Sequence, residues 1–237
     1  MTRVPVVTFD VFSALVDSRT GGGAQLDRWA RERGWPRSGP DVYDRWDAEN
    51  KRLHRDRSHW VPFATLAREA LATTYDELHL DGRVDDDAAA LLASMAQWPL
   101  WPDVGQGVAD VSRHYRVGLL SNIDDALLSR TRVAGLPVDP ALVVTSERVR
   151  AYKPHPEIYE HARRMLGSFV HVASSARDVR GSVEAGVSVV RLRRPGHELD
   201  PGGGAPAREV ASTVELVPAL IEMLGNQGDS AHGDPTG

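Results

Sequence analysis

The chain contains no cysteine, no long apolar run and no excess of basic residues. The absence of cysteine excludes disulfide bonds, a thiolate nucleophile and a zinc site built on cysteine. No apolar segment approaches the roughly 20 residues that span a membrane, so we expect no membrane partner. The 33 acidic side chains outnumber the 28 lysines and arginines, which does not favour a nucleic-acid partner. Because the first residues lack the features of a secretory signal, we expect a cytoplasmic protein.

Short apolar runs alternate with segments of helical periodicity along most of the chain. This alternation is typical of βαβ units and predicts an α/β fold with a Rossmann-like parallel sheet. The predicted strands are residues 4–9, 117–120, 142–145, 170–173 and 187–192. Helices are predicted between them at residues 124–133, 156–166 and 178–185, with a surface loop at 195–207. Because crossovers between parallel strands are right-handed, the carboxyl ends of the strands meet at one edge of the sheet.

The alternation stops after the first strand and resumes about eighty residues later. Four helices are predicted in this stretch, at residues 24–33, 40–57, 63–78 and 85–97. We interpret the stretch as an all-helical cap domain, residues 17–98, inserted into an α/β core formed by residues 1–16 and 99–225. The small, polar residues 226–237 are predicted to form a flexible C-terminal tail.

Polar side chains follow four of the apolar runs in turn: Asp10, then Ser121 with Asn122, then Lys153, then Asp178. A carboxylate at the end of the first strand lies in the crevice where such sheets bind ligands. It can act there as a covalent nucleophile. Each residue also has an ordinary structural explanation, as a turn residue, a helix cap or a solvated lysine. The four together, after four successive runs, favour a catalytic site.

With these residues in this order, residues 3–225 resemble the haloacid dehalogenase-like hydrolase superfamily, and within it the haloacid dehalogenase type II group. Asp10 matches the nucleophile that ends the first strand of these enzymes. Ser121 matches their second motif, Lys153 their third and Asp178 the acid of their fourth. The resemblance implies a helical cap and a small-molecule substrate, and related caps support homodimers.

Two positions indicate which chemistry the resemblance implies. Phosphatases of the superfamily carry a second acid two residues after the nucleophile, where this chain has Phe12, which cannot move a proton. Their fourth motif contributes an acid that helps to hold Mg²⁺, where this chain has Ser174. The expected reaction therefore needs no cofactor. Asp10 displaces halide from a small 2-haloacid, and water then hydrolyses the aspartyl ester to a 2-hydroxy acid.

The resemblance also implies roles for the surrounding residues. Lys153 would keep Asp10 ionised, and Asp178 would orient Lys153 or the hydrolytic water. Arg45 is the candidate for the cap arginine that binds the departing halide, although its spacing to Glu49 also suits a surface ion pair. The full set expected to bind substrate is Phe12, Arg45, Ser121, Asn122, Tyr159, Ser174 and Ser175.

Departures from the dehalogenase pattern leave two alternatives open. Ala14, Ala173 and Ser175 stand where that group has longer hydrogen-bonding side chains, which are expected to support ester hydrolysis. One alternative is a Mg²⁺-dependent phosphatase that acts on a small phosphate ester. The other is a vestigial or non-halide member of the superfamily that binds a small acid or a partner protein.

Overall fold

The computed structural model describes residues 4–229 of the chain, with side chains described as far as residue 224. Its strands are β1 Val6–Phe9, β2 Arg116–Ser121, β3 Val143–Thr145, β4 Phe169–Ala173, β5 Ser188–Leu192 and β6 Arg208–Val210. They form one sheet in the order β3-β2-β1-β4-β5-β6, and every neighbouring pair is parallel. The predicted Rossmann-like parallel sheet is therefore confirmed.

Strand β1 lies in the middle of the sheet because its four residues are all apolar or small enough to be buried on both faces. It pairs with β2 on one side and β4 on the other, so that Phe9 lies opposite Leu119 and Val172. The next residue, Asp10, continues this pairing through its backbone N–H, which donates to Val172 O at 2.9 Å. Asp10 is thus held at the centre of the carboxyl edge of the sheet.

Ten α-helices accompany the strands within the described residues. In chain order they are α1 Ser18–Arg33, α2 Gly39–Asp56, α3 Phe63–Leu78, α4 Val84–Ser94, α5 Val104–Ser112, α6 Asp125–Leu128, α7 Ser146–Val149, α8 Pro156–Leu166, α9 Ala176–Glu184 and α10 Leu216–Asp229. The first four follow β1 directly and have no strand among them. None of the described helices combines the length and apolarity that a membrane crossing requires.

Helix α1 begins at Ser18, six residues before its predicted start, and it includes three consecutive glycines. Asp17 caps its first turn by accepting a hydrogen bond from Thr20 N at 3.1 Å. The glycines are tolerated because aromatic rings pack directly on the helix backbone. A Cβ at Gly21 would lie 2.4 Å from Trp98 Cγ, and a Cβ at Gly22 would lie equally close to the Tyr43 ring. Close packing therefore outweighs the low helix propensity of glycine.

The C-terminal half of the chain differs from the predictions at three places. The helix predicted at residues 124–133 is shortened to α6 and followed by a 3₁₀ turn at Arg132–Gly135. The loop predicted at residues 195–207 leads directly into β6, an edge strand whose first two residues are exposed and so lack an apolar signal. The last helix extends to Asp229, into the segment predicted as a flexible tail, whose remaining residues 230–237 lie outside the described residues.

Candidate active site

Three charged side chains from distant parts of the sequence meet at the carboxyl edge of the sheet. Lys153 Nζ lies 2.9 Å from Asp10 Oδ1 and 2.5 Å from Asp178 Oδ2, and it also donates to Leu120 O at 2.8 Å. An ammonium group has three hydrogen atoms to donate, so these three acceptors satisfy it completely. All three charged residues are buried. The sequence predicted each of them, and the structure brings them together.

The position of Lys153 is fixed by Asn122. Asn122 Nδ2 donates to Lys153 O at 3.0 Å, and Lys153 N donates to Asn122 Oδ1 at 2.7 Å. The Asn122 amide therefore binds both the backbone C=O and the backbone N–H of Lys153, and these two hydrogen bonds fix the loop that carries the lysine. The sequence predicted that Asn122 holds substrate. Its side chain does line the cavity beside Asp10, but its hydrogen bonds within the protein serve Lys153.

Besides Lys153, two side chains contact the carboxylate of Asp178. Tyr159 Oη donates to Asp178 Oδ1 at 3.1 Å, and His171 Nε2 lies 3.2 Å from Asp178 Oδ2. His171 is fully buried, and its other ring nitrogen lies 2.9 Å from Thr8 Oγ1. Sequence reasoning missed His171, although a lone histidine in the apolar β4 is a detectable signal. Because a carboxylate only accepts hydrogen bonds, His171 carries a hydrogen on Nε2.

The charges of this cluster shift the pKa values of its members. Burial raises the pKa of Asp10, although Lys153 opposes that effect. For Asp178 burial acts in the same direction, but Lys153 and His171 outweigh it and lower the pKa of this carboxyl. Burial opposes the charge on Lys153, and the two carboxylates overcome it and raise the pKa of the ammonium. Lys153 is therefore a permanent cation next to Asp10.

A cavity of about 380 Å³ lies between these residues and the first helices. Phe12 lines it beside Asp10, and its ring stacks on Phe63 with centroids 5.8 Å apart. Trp98 meets the same ring edge-on at 6.2 Å. The cavity wall next to Asp10 is thus aromatic, in line with what the resemblance implies for Phe12.

Three of the residues expected to bind substrate lie behind the cavity wall. Ser121 is fully buried and donates to Asp10 Oδ1 at 3.3 Å, and Tyr159 is fully buried against Asp178. Ser174 is also fully buried, and its hydroxyl has no hydrogen-bond partner within the described residues. None of these three is among the residues that line the cavity, and their expected contact with substrate stays a prediction. Ser175 does line the cavity, and its hydroxyl caps α9 by accepting from Asp178 N at 3.4 Å.

Arg45 is placed away from the cavity, and its expected role at the departing halide stays a prediction. Its guanidinium pairs with Glu77 of α3 and lies 3.4 Å from Glu49, and it is not among the cavity-lining residues. The acidic side chains one turn along α2 and on the adjacent α3 hold it on the outer face. The cations that line the cavity from the helices are Arg19 and Lys51, each paired with an aspartate of α2.

The loop after β5 is largely exposed, as predicted for a surface excursion, and its first residues also contribute to the cavity. Pro195, Gly196 and His197 line it. The preceding Arg194 is buried and donates two hydrogen bonds to Ala14 O, at 3.1 and 3.2 Å. This contact anchors the turn that follows Asp10. A single arginine before a Gly/Pro-rich loop gives no sequence signal of this kind.

Residues of the core also contact the helical segment formed by α1–α4, next to the cavity. Asp124 accepts from Phe63 N at 2.9 Å and from Ala64 N at 3.0 Å, so a core carboxylate caps α3. Tyr152 Oη donates to Val61 O at 2.7 Å, and Arg177 donates to Lys51 O. These contacts join the core to α2 and to the start of α3.

An α/β core with a buried aspartate and lysine at the centre of its sheet edge, covered by inserted helices, defines a class of enzyme that works through that carboxylate. The haloacid dehalogenase-like hydrolase family model matches residues 4–186, most of the chain. The chain therefore belongs to the haloacid dehalogenase-like hydrolases.

Similar proteins of this family come from several bacteria. The (S)-2-haloacid dehalogenase of Xanthobacter autotrophicus is 29% identical over 220 residues, covering 88% of this chain and 80% of the relative. Haloacetate dehalogenase H-2 of Moraxella sp. (strain B) is 24% identical over 233 residues, covering 94% and 99%. The solved structure of L-2-haloacid dehalogenase from X. autotrophicus has a TM-score of 0.80 at 23% identity and covers 93% of this chain and 99% of that chain. The likeness to this structure shows that the whole fold is shared.

Proposed function

We propose that this protein is a hydrolase that displaces halide from a small 2-haloacid without a metal ion. The observation that carries the proposal is the aromatic Phe12 beside the Asp10–Lys153 pair, where proton-dependent chemistry would require an acid. Halide leaves as a stable anion and needs no proton from the enzyme. The names of the relatives in X. autotrophicus and Moraxella, an (S)-2-haloacid dehalogenase and a haloacetate dehalogenase, support the same reaction.

In the first step an oxygen of Asp10 attacks the carbon that bears the halogen. Within the described residues, the hydrogen bonds to the Asp10 side chain end on Oδ1, from Ser121 and Lys153. Oδ2 is therefore the oxygen available for attack. A C–O bond forms, the carbon–halogen bond breaks with inversion, and the halide leaves with the bonding electron pair. Lys153 assists by keeping the carboxylate ionised against the effect of burial.

In the second step water hydrolyses the aspartyl ester. The water oxygen adds to the Asp10 carbonyl carbon, and the ester C–O bond breaks on the aspartyl side. Asp10 is regenerated with one oxygen from water, and the product leaves as a 2-hydroxy acid with release of one proton. Lys153 and Ser121 already contact Asp10 Oδ1, where negative charge develops during this step, so they are placed to stabilise it.

A Mg²⁺-dependent phosphatase is a poorer fit to the residues present. A hard cation requires several oxygen ligands, preferably carboxylates, and Phe12 and Ser174 replace two acids that the phosphatases of the superfamily carry. Asp178, the remaining acid, already accepts hydrogen bonds from Lys153 and Tyr159. Among residues 4–229 no cluster of three His, Asp or Glu side chains is placed to hold a metal ion.

The test measures halide release from the separate enantiomers of 2-bromopropionate in excess EDTA. We expect steady release from one enantiomer, and the Asp10→Asn variant should release none while retaining the circular dichroism of the wild type. In heavy-oxygen water, repeated turnover should place label on Asp10, detected by mass spectrometry of its peptide. Phosphate-ester hydrolysis that depends on Mg²⁺, with no halide release, would overturn the proposal in favour of a phosphatase.

A further inference from the structure

The cavity over Asp10 is large for the smallest 2-haloacids. Its volume is about 380 Å³. A 2-halopropionate has six heavy atoms, and at roughly 20–30 Å³ for each it occupies less than half of that space, taking the volume share of liquid water as the upper figure. The remaining space leaves room for a longer side chain on the substrate.

Two buried polar side chains of α2 line this cavity without satisfying their hydrogen-bonding groups. Asn50 is 5% exposed and His54 is 3% exposed, and they are one helical turn apart on the same face of α2. Asn50 Oδ1 and both ring nitrogens of His54 have no hydrogen-bond partner within the described residues. A buried polar group without a partner costs about 1–3 kcal/mol. Three such atoms on one cavity wall therefore point to a ligand that supplies the missing hydrogen bonds.

The packing around His54 holds its ring in place. The ring stacks on Tyr152 with centroids 4.2 Å apart and 15° between the planes, and it also contacts Phe63 at 5.4 Å. The imidazole therefore keeps a fixed plane over the cavity. Burial and the nearby charges of Arg177 and Lys51 lower the pKa of His54, so the ring is neutral, with one nitrogen that donates and one that accepts.

The charges on the same wall indicate what kind of group fits. The cavity-lining cations of the helices, Arg19 and Lys51, are already paired with Asp44 and Asp47. Asn50 and the neutral His54 instead offer donors and acceptors together, which match a group that does both. We propose that Asn50 and His54 recognise an uncharged hydrogen-bonding group, a primary amide or hydroxyl, on the side chain of the 2-haloacid. This inference rests on the proposed function and narrows its substrate class.

The experiment compares two substrates of the same shape. 2-Bromo-4-carbamoylbutyrate carries a primary amide, and 2-bromo-5-methylhexanoate has an isopropyl group in its place. We expect the wild type to favour the amide by at least about 30-fold in kcat/KM for halide release, because the apolar isostere leaves buried polar groups unpaired. Enzyme-free blanks correct for spontaneous loss of bromide. Equal kcat/KM values, or no turnover of either compound by an enzyme that turns over 2-bromopropionate, would overturn the inference.

Two variants test whether Asn50 and His54 carry the preference. His54→Phe keeps the ring stacking and removes both nitrogens, and Asn50→Leu keeps the side-chain size and removes the amide. Each variant should reduce the preference for the amide substrate to within about fivefold. The reason is that the apolar substrate no longer leaves the replaced polar group without a hydrogen bond. The ratio is measured within each variant, so a general loss of activity does not disturb it. A preference that persists in both variants would show that other residues bind the amide. The absence of halide release from 2-bromopropionate would instead overturn the proposed function itself.

Discussion

Lys153 Nζ lies 2.9 Å from Asp10 Oδ1, although the two residues are 143 positions apart in the sequence. Both side chains are buried, so water screens this pair much less than it screens a surface pair. Burial raises the pKa of Asp10 and Lys153 opposes that rise. Lys153 is therefore the neighbouring cation that favours the ionised form of the proposed nucleophile.

The first prediction follows from that relationship. Lys153→Met should raise the pKa of Asp10 further, because it removes the opposing charge and keeps the burial. The acid limb of the pH profile of kcat/KM should move to higher pH by at least about one unit, equivalent to ~1.4 kcal/mol. The value at pH 7 should fall by about 100-fold or more. Arg164→Met, which removes an exposed cation of α8, is the matched control. An acid limb that does not move would show that Lys153 does not control the ionisation of Asp10.

The second prediction concerns the stability contributed by Asp178. Its pKa is lowered in the folded protein, so its contribution is complete above the pKa of the unfolded chain and is lost as pH falls below it. Asp178→Asn should lower the free energy of unfolding by roughly 3 kcal/mol at pH 7, because it breaks a buried ion pair. The difference from wild type should be smaller at pH 3 by about 1 kcal/mol. Urea unfolding across this pH range measures both values, and a difference that is constant with pH contradicts the assignment. Glu160→Gln on the surface serves as the control.

Much of this site could be predicted from the sequence because of one topological rule. The carboxyl ends of parallel strands share an edge, so Asp10, Lys153 and Asp178 could be expected to approach one another from the order of the apolar runs. The same rule does not say which polar side chain binds the substrate and which forms hydrogen bonds within the protein. Asn122 illustrates this limit, because its hydrogen bonds to the Lys153 backbone depend on the path of a loop.

The helical segment was harder to predict for a related reason. Helical periodicity located α2 and α3 almost to the residue, but the face that each helix turns toward the cavity depends on how the helices pack. Arg45, Asn50 and His54 all lie on α2, and only the last two line the cavity. Since a helix places successive residues 100° apart, Arg45 lies on roughly the opposite side of α2 from Asn50 and His54, and helical periodicity alone does not say which side faces Asp10.

A third prediction tests His171, which the sequence reading missed. His171→Leu should leave Thr8 and Asp178 each short of one hydrogen-bond partner, which costs about 2 kcal/mol of unfolding free energy. Since His171 does not line the cavity, we expect kcat to fall by about tenfold and KM to change much less. Thr8→Val removes only the far end of the chain of hydrogen bonds and should have the smaller effect. An increase in KM with kcat unchanged would contradict a supporting role through Asp178.

The fourth prediction separates two arginines of the helical segment. Arg45→Gln should change kcat/KM for 2-bromopropionate by no more than about twofold, because exposed ion pairs contribute little and Glu49 keeps its contacts with Arg52. Arg19→Gln should raise KM by about fivefold or more, because it leaves its partner Asp44 as an unpaired negative charge at the cavity, which repels an anionic substrate. Steady-state kinetics of both variants provide the measurement. A larger loss from Arg45→Gln than from Arg19→Gln would mean that α2 turns its other face to the substrate.

The last prediction concerns Phe12, the residue that separates the proposed reaction from phosphate chemistry. Phe12→Asp removes an aromatic side chain that stacks on Phe63 and meets Trp98, which should lower the free energy of unfolding by roughly 3 kcal/mol. The new carboxylate also lies next to Asp10, so it should raise the pKa of that nucleophile and lower kcat/KM for halide release by about 100-fold. Phe12→Leu keeps the wall apolar and provides the comparison, with a smaller loss of stability of about 1 kcal/mol and a much smaller loss of activity. If both variants release halide at the same rate, the wall beside Asp10 contributes only packing, and Phe12 does not determine the leaving group.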